Sequence, residues 1–354
     1  MSEQPMVPIF DGHNDALLRL FKHADEGPST FIDGGGRGHL DLPKAKEGHF
    51  AGGMFACFTP SAKAEGQAVT RTVGGYEEAF PPTPEQADAL RTTLALAADL
   101  FRIEALSAGR FKVARTADEI EDCIRTDVIA ATLHIEGAEA IDPEMQALDV
   151  LHQAGLRSIG PVWSRPNIFG CGVPFKFPSS PDIGPGLTGA GKALVRACNE
   201  LKILIDLSHL NEKGFWDVHK LSDAPLVATH SNAHALCRVS RNLTDEQLAA
   251  IRESDGMVGL NYAVCFLRED GENRADTPFE TLLRHLDYLI EHLGEDRVGL
   301  GSDFDGATIP SAIGTAAGLP AFVGAMRAHG YGETLIEKIC YRNWVRVLKA
   351  TWGA

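Results

Sequence analysis

Short apolar runs recur along this chain, and each is followed by polar residues and then by a stretch whose apolar residues have helical spacing. The runs are rich in β-branched or other apolar residues and are bounded by Gly, Pro, Ser or Asp, which is typical of buried parallel strands. We predict eight strands, at residues 7–10, 53–58, 128–133, 158–162, 203–207, 226–229, 257–260 and 298–300.

The stretches between these runs predict helices, because their apolar residues return at intervals of three and four. The clearest helix start is Thr244, since Gln247 follows three residues later and completes a capping-box pattern. The predicted helices are residues 83–106, 117–125, 142–153, 188–200, 244–254, 277–293 and 332–349.

Strands that alternate with helices predict parallel βαβ units and therefore the α/β class. Eight strands with their crossovers fit a (β/α)8 TIM barrel, which takes about 250 residues before insertions. We expect the remainder of the 354 residues in inserted βα loops, at 22–48 and 165–186, and in a C-terminal helix. A doubly wound open sheet is the alternative, but no G-x-G-x-x-G follows the first strand.

Composition narrows the range of functions. The chain has 33 Lys and Arg against 48 Asp and Glu, a net charge of −15, which argues against binding nucleic acid or an anionic membrane. No apolar run approaches the roughly 20 residues of a membrane span, and no secretory signal precedes the first strand. The seven cysteines form no C-x-x-C pair, so we expect reduced thiols in a cytoplasmic protein.

Metal-ligand and acid/base side chains follow five of the eight predicted strands. A lone His at a strand end is more often structural, and a lone Asp before a helix is more often an N-cap. In a TIM barrel, however, all strand ends of one polarity meet at the mouth, where reacting groups lie. Together they predict a metal site made by His13, Asp15, Glu136, His209 and His230, with Asp303 beside it as the acid/base residue.

The types of ligand suit zinc or a similar first-row ion. His13 and Asp15 are separated by one residue and point the same way on an extended segment, so both can bind one ion. His209 and His230 can bind a second ion, and the two oxygens of Glu136 could bridge the pair. Two ions about 3.5–4 Å apart would share a hydroxide and polarise a carbonyl group.

Six segments make the sequence resemble the membrane (renal) dipeptidase family of zinc metallopeptidases, within the amidohydrolase-type barrels. They are DGHND at 11–15, HIEG at 134–137, DLSH at 206–209, THSNA at 229–233, RNL at 241–243 and GSDFDG at 301–306. The NWVRV segment at 343–347 also resembles the family's final helix. The resemblance implies one metallohydrolase domain over residues 1–354, with two zinc ions bridged by Glu136 and with Asp303 as the acid/base residue.

The resemblance also implies the substrate contacts. Arg241 matches the arginine that holds the substrate's terminal carboxylate, a task that suits a guanidinium. Tyr262 lies in a segment similar to the family's substrate-contacting segment. Trp163 stands where the family usually has a His that contacts the tetrahedral intermediate, so either Trp163 shapes the pocket or a neighbour such as Arg165 supplies the donor. His134 is a candidate for a pocket or supporting role.

Our leading hypothesis is a cytoplasmic zinc-dependent dipeptidase that acts on short dipeptides. A metal-bridged hydroxide would attack the peptide carbonyl, and Asp303 would pass the proton to the leaving amine. The resemblance implies tolerance of L-Xaa-D-Xaa peptides and a homodimer. Two alternatives stay open: a metal-dependent hydrolase of another amide, such as an N-acyl amino acid or a lactam, and a non-catalytic barrel. The intact ligand set argues against the second alternative.

Overall fold

The structure is a computed structural model that describes residues 6–23, 25–61 and 69–353. Its strands are β1 (Ile9–Asn14), β2 (Phe50–Phe58), β3 (Val69–Thr72), β4 (Gly75–Glu78), β5 (Phe111–Val113), β6 (Ile129–Glu136), β7 (Leu156–Gly160), β8 (Lys176–Phe177), β9 (Leu204–Ile205), β10 (Val227–Ala228), β11 (Met257–Asn261) and β12 (Val298–Gly301).

The α-helices are α1 (Ala16–Lys22), α2 (Pro28–Asp33), α3 (Leu42–Glu47), α4 (Gln86–Leu106), α5 (Ala117–Arg125), α6 (Gln146–Ala154), α7 (Gly189–Leu201), α8 (Glu212–Leu221), α9 (Asp245–Glu253), α10 (Val264–Leu267), α11 (Phe279–Leu293), α12 (Leu319–His329), α13 (Glu333–Glu337) and α14 (Asn343–Trp352). A π-helical stretch, Lys338–Arg342, joins the last two helices. None of the helices described here has the length and apolar character needed to cross a membrane.

Eight parallel strands form the barrel, in the order β10-β11-β12-β1-β2-β6-β7-β9. A parallel bridge between Asp206 and Val227 joins the two ends of this order, and the Leu207 amide donates a hydrogen bond to the Val227 carbonyl at 2.8 Å. This near-closure confirms the predicted TIM barrel and excludes an open, doubly wound sheet. Each of the eight predicted strands corresponds to one barrel strand, because burial on both faces requires the apolar runs seen in the sequence.

The inside of the barrel is closed by small residues and by one large aromatic side chain. A Cβ atom at Gly12, Gly259 or Gly301 would collide with the Thr229 carbonyl oxygen, so glycine lets three strands close around this point. The indole of Trp344, on α14, is fully buried and donates a hydrogen bond to the Leu300 carbonyl at 3.0 Å. The C-terminal helix therefore packs directly against the barrel strands.

Each predicted helix corresponds to a helical segment of the structure, but the sequence pattern missed several further helices. The capping box of α9 is confirmed, since the Thr244 amide donates to Gln247 Oε1 at 2.9 Å and the Gln247 amide to Thr244 Oγ1 at 3.4 Å. Helices α1, α2, α3, α8, α10 and α12 were not predicted, and α2 and α3 lie in the segment 22–48 that was expected to be a loop. The single helix expected at 332–349 is interrupted by the π-helical stretch. Outside the barrel, β3, β4 and β8 form a small antiparallel sheet whose first two strands contribute side chains to the cavity at the barrel mouth.

Candidate active site

The predicted ligands converge on one carboxylate oxygen at the barrel mouth. Glu136 Oε1 lies 3.0 Å from His209 Nε2, 3.4 Å from His230 Nε2 and 3.7 Å from His13 Nε2. Asp15 Oδ2 lies 3.3 Å from His13 Nε2. All five side chains are buried. The ends of β1, β6, β9 and β10 therefore bring distant parts of the chain to a single site.

Potential ligand atoms of the described residues form three groups, two of which agree with a division between two ions. In each group the atoms lie within 4.8 Å of one another. One group combines His13, Asp15 and Asp303, and the other combines Glu136, His209 and His230. A third group of the same kind contains His13, Asp206 and His230, and Asp206 was not among the predicted site residues.

Two site residues have an unusual backbone conformation. His209 has φ of 68° and Asp303 has φ of 59°, in the left-handed region that residues other than glycine seldom adopt. Backbone hydrogen bonds hold both residues in place: Val173 N donates to His209 O at 2.9 Å, and Asp303 N donates to His13 O at 3.0 Å. Such strain persists where surrounding contacts impose it, and it is concentrated at functional sites.

Burial and neighbouring charges set the protonation of the histidines. Burial holds the pKa values of His209 and His230 well below their usual range, with the nearby charge of Arg241 acting in the same direction. Burial also lowers the pKa of His13, but the carboxylates of Glu136 and Asp15 outweigh it and raise this pKa to about 10. Burial thus favours the neutral, metal-binding form of His209 and His230, whereas His13 would have to release a proton when a metal ion binds.

The donor set fits a metal cofactor. The Nε2 atoms of His209 and His230 are only 3.2 Å apart, and both point towards Glu136 Oε1. Buried Asp15 Oδ1 has no hydrogen-bond partner among the described residues. A bound cation would stabilise these converging groups in a buried site, and imidazole and carboxylate ligands suit zinc or a similar first-row ion.

Asp303 and Arg241 lie close to this group. Asp303 Oδ2 accepts a hydrogen bond from Asn261 Nδ2 at 3.0 Å, and burial raises the pKa of Asp303. Arg241 is buried and donates to Ser231 Oγ at 2.7 Å and to the His230 carbonyl at 2.9 Å. Its Nε has no hydrogen-bond partner within the described part of the chain, and burial lowers the pKa of Arg241 to about 10.

A cavity of about 720 Å³ opens above the ligands and includes Asp15, Glu136, His209 and Asp303 in its walls. Aromatic side chains form a large part of the remaining wall: Phe58, Tyr76, Trp163, Phe175 and Phe266. The Trp163 ring lies 4.9 Å from the Phe58 ring and 5.5 Å from the Phe175 ring, between centroids. The cavity thus has the predicted metal ligands at its base and aromatic residues along one side.

Arg165 supports Trp163 and is not the alternative hydrogen-bond donor. Its side chain is fully buried, and its three guanidinium nitrogens donate to Glu139 Oε1, Ser61 Oγ and the Thr59 carbonyl. Its Cζ lies 5.3 Å from the centroid of the Trp163 ring, a cation–π contact. Of the two possibilities that the sequence left open, the geometry favours a pocket shaped by Trp163.

Three predicted substrate contacts, Arg241, Tyr262 and His134, are not among the residues that line the cavity. Tyr262 is fully buried, and its ring packs against Phe304 and Phe322 at 5.9 and 5.8 Å. His134 is also fully buried, and its Nδ1 lies 2.9 Å from Ser158 Oγ. Their roles in substrate binding stay predictions.

The sequence analysis missed several residues that contact the predicted ligands. Thr229 Oγ1 lies 2.8 Å from His230 Nδ1, and Ser164 Oγ lies 2.7 Å from His209 Nδ1. Thr229 and Asp206 both lie inside motifs that carried the resemblance. Both residues were therefore visible in the sequence, but the spacing of the motifs did not indicate that a hydroxyl or a carboxylate would support the predicted ligands on the side away from Glu136.

An eight-stranded parallel barrel with histidines and carboxylates grouped at its mouth defines the class of metal-dependent hydrolases with an amidohydrolase-type barrel. The family model described as membrane dipeptidase (Peptidase family M19) matches residues 4–352. The chain belongs to this family, and the prediction of a metal-dependent dipeptidase is confirmed.

Individual relatives agree with this assignment. A metallopeptidase from Rhodobacter sphaeroides, solved with a phosphinate mimic of the dipeptide L-Ala-D-Ala, is 55% identical with a TM-score of 0.95, over 98% of this chain and 100% of that chain. A solved dipeptidase AC is also 55% identical, with a TM-score of 0.94, over 99% and 100% of the two chains. An uncharacterized Klebsiella pneumoniae protein is 53% identical over 253 residues, 72% of this chain and 93% of the relative.

Proposed function

We propose that this chain is a dipeptidase with two zinc ions that hydrolyses dipeptides, including L-Xaa-D-Xaa peptides. The observation that carries the proposal is the convergence of three imidazole Nε2 atoms on Glu136 Oε1, at 3.0, 3.4 and 3.7 Å. The dipeptide mimic bound by the R. sphaeroides relative supports a substrate with a D-residue at its C-terminal position.

His13 and Asp15 would hold one ion, His209 and His230 would hold the other, and Glu136 would bridge them. Two of the three ligand groups support this division, since one contains His13 and Asp15 and another contains His209 and His230. When bound, the ions supply Lewis acidity towards the scissile carbonyl and a nucleophile at neutral pH. The protein supplies metal-binding side chains that are held in fixed positions at the buried base of the cavity.

Asp303 is the residue proposed to move the proton. Asn261 Nδ2 donates a hydrogen bond to Asp303 Oδ2. Asp303 Oδ1 is therefore the oxygen that would take a proton from the attacking water and return it to the leaving amine. A Cβ atom on Gly306 would collide with Asp303 Oδ1, so the glycine leaves space for this oxygen. Burial, which raises the pKa of Asp303, makes its carboxylate a better proton acceptor.

Arg241 is proposed to bind the terminal carboxylate of the substrate. Among the residues that the structure describes, no carboxylate oxygen lies within the 4.0 Å of an ion pair with Arg241. A buried guanidinium without an acidic partner lowers the stability of the fold. A substrate carboxylate would compensate its charge by accepting hydrogen bonds from the planar guanidinium group. This contact would limit the substrate to one residue beyond the scissile bond.

The aromatic wall is proposed to receive an apolar part of the substrate. Trp163, Phe58 and Phe175 form this wall, and Arg165 fixes Trp163 from behind. Tyr262 and His134 would act by supporting the site, since Tyr262 packs against Phe304 and Phe322 and His134 Nδ1 contacts Ser158 Oγ.

Several further properties are proposals with less support. All seven cysteines are free thiols, which agrees with a cytoplasmic location. One metallohydrolase domain over residues 1–354 agrees with the extent of the family match. A homodimer rests on the resemblance alone.

The test is metal content by mass spectrometry on protein purified without chelator, with hydrolysis measured on the same sample during a zinc titration. The panel contains L-Ala-D-Ala, L-Ala-L-Ala, N-acetyl-D-Ala and a lactam. We expect two equivalents of zinc and dipeptide hydrolysis that follows their binding. A metal-loaded protein that cleaves only the N-acyl compound or the lactam would support the alternative of another amide and contradict the proposal.

A further inference from the structure

A hydroxyl group lies between a buried carboxylate and a predicted metal ligand. Thr229 Oγ1 donates a hydrogen bond to Asp206 Oδ2 at 2.6 Å, and the same oxygen lies 2.8 Å from His230 Nδ1. Asp206 Oδ1 accepts backbone hydrogen bonds from Ser208 at 3.0 Å and from Thr229 at 2.9 Å. All of these side chains are buried, so water does not compete for these bonds.

The direction of the hydrogen bonds follows from the number of protons. An ionised carboxylate only accepts, and a hydroxyl has a single proton to donate. Asp206 receives its hydrogen bonds from two backbone amides, which can only donate, and from the Thr229 hydroxyl. The Thr229 proton is therefore directed to Asp206. Thr229 Oγ1 can then only accept from His230, whose Nδ1 must carry the ring proton.

This arrangement leaves the lone pair on His230 Nε2. That nitrogen lies 3.4 Å from Glu136 Oε1 and 3.2 Å from His209 Nε2, where a metal ion would be held. The opposite tautomer would place a proton at this point and prevent ligation. A hydrogen bond on the other ring nitrogen is the means by which proteins fix the tautomer of a ligating histidine.

The backbone around this pair leaves little freedom. Gly12, Gly259 and Gly301 pack directly against the Thr229 carbonyl, and Asp206 forms the bridge to Val227 that joins the ends of the barrel sheet. The positions of the hydroxyl and the carboxylate are therefore fixed by barrel closure itself.

We infer that Asp206 and Thr229 are positioning residues that hold His230 in the Nδ1–H tautomer, so that its Nε2 is free to bind a metal ion. Neither residue lines the cavity, and both would act through His230. The inference rests on the proposed assignment of His230 as a metal ligand.

The test uses Thr229→Val, Thr229→Ser and Asp206→Asn in the full chain. Zinc stoichiometry and affinity are measured by competition with a chelator. Thr229→Val removes the hydroxyl with little change in volume, and we expect about 10- to 100-fold weaker binding of one of the two zinc ions. Thr229→Ser retains the hydroxyl and should restore the affinity. Thr351→Val is the matched control, because Thr351 is also buried but donates to the Val347 carbonyl within α14.

Asp206→Asn gives a signature that a structural defect would not produce. The backbone amides would hold the Asn oxygen in place of Oδ1, so that its NH2 group would donate to Thr229 Oγ1. The Thr229 proton would then turn to His230 Nδ1 and shift the ring to the Nε2–H tautomer. Ring ¹⁵N chemical shifts of metal-free protein with labelled histidines distinguish the two tautomers.

The outcomes separate this inference from the proposed function. A wild-type protein that binds no zinc would contradict the proposed function. Wild-type protein with two zinc ions, together with unchanged affinities in Thr229→Val or an unchanged His230 tautomer in Asp206→Asn, would overturn the inference alone. If Asp206→Asn does not fold, the Val and Ser variants of Thr229 still decide the question.

Discussion

The Nε2 atoms of His209 and His230 lie 3.2 Å apart, and a hydroxyl contacts Nδ1 on the far side of each ring. Ser164 provides the hydroxyl for His209 at 2.7 Å and Thr229 provides it for His230 at 2.8 Å. Both rings are buried and are held with one nitrogen towards Glu136. The two hydroxyls thus fix the orientation of two predicted ligands on different strands, which reduces the cost of assembling the site.

Metal binding should stabilise the fold, because the converging ligands lack a counter-charge without it. At free zinc 100 times above the Kd of a site, we expect the free energy of unfolding to rise by about 2.7 kcal/mol for that site. Thermal denaturation of chelator-treated and zinc-loaded protein measures the effect. His209→Ala should lose most of it, whereas His219→Ala, at an exposed position on α8, should respond as wild type. Equal melting temperatures with and without zinc would contradict the site.

Asp303→Asn should abolish proton transfer and keep the metal. The amide is nearly isosteric and can still contact Asn261, but it cannot take a proton, so we expect kcat to fall by about 10²- to 10⁴-fold. Steady-state kinetics and metal analysis on the same preparation are the measurements. Asp296→Asn is the control, since Asp296 is exposed and pairs with Lys338. Loss of a zinc ion from Asp303→Asn would instead make Asp303 a ligand, consistent with its grouping with His13 and Asp15.

Substrate length should depend on Arg241. A charge-assisted hydrogen bond contributes about 1.5–3 kcal/mol, so wild type should prefer a dipeptide over its C-terminal amide by about 10- to 100-fold in kcat/KM. Arg241→Met should remove this preference, and Arg241→Lys should retain part of it. The ratio of the two substrates is the readout, because a general disturbance of the site lowers both rates together. An unchanged ratio in Arg241→Met would exclude the proposed carboxylate contact.

His285 should make the fold sensitive to acid. Its Nδ1 accepts from the Ala233 amide at 3.3 Å and its Nε2 contacts the Leu267 carbonyl at 2.9 Å, and burial lowers its pKa to about 4. The unfolded chain binds a proton below pH of about 6.5, whereas the folded chain does not do so until about pH 4. Stability present at neutral pH is therefore lost as pH falls from 6.5 to 4, by up to about 3 kcal/mol.

Urea unfolding of zinc-free protein at pH 7.5 and pH 5 tests this linkage. His285→Gln should lower the stability at pH 7.5 and show a smaller loss between the two pH values than wild type. His219→Ala should retain the wild-type slope, because this side chain is exposed. An identical pH slope in His285→Gln and wild type would show that His285 is not responsible.

The apolar runs determined the barrel and the positions of its candidate ligands. A parallel strand that is covered on both faces has to be apolar along its length, and the polar residue at its carboxyl end then marks the barrel mouth. His13, Glu136 and His230 could be assigned to one site by this argument, without knowledge of any contact. The order of the strands along the chain was sufficient.

The tertiary structure decided which side chains support that site. Arg165 was a candidate donor in the sequence, but its donors are used by Glu139, Ser61 and Thr59. Tyr262 follows a strand end, yet it packs into the core between Phe304 and Phe322.

The contact of Thr229 with Asp206 and His230 depends on barrel closure between β9 and β10. Strand periodicity predicts the face of the sheet on which a residue lies. Its hydrogen-bond partners depend instead on strand register, on backbone turns such as those at His209 and Asp303, and on how closely glycines let the strands approach one another. These quantities are properties of the closed barrel and not of any segment of its sequence.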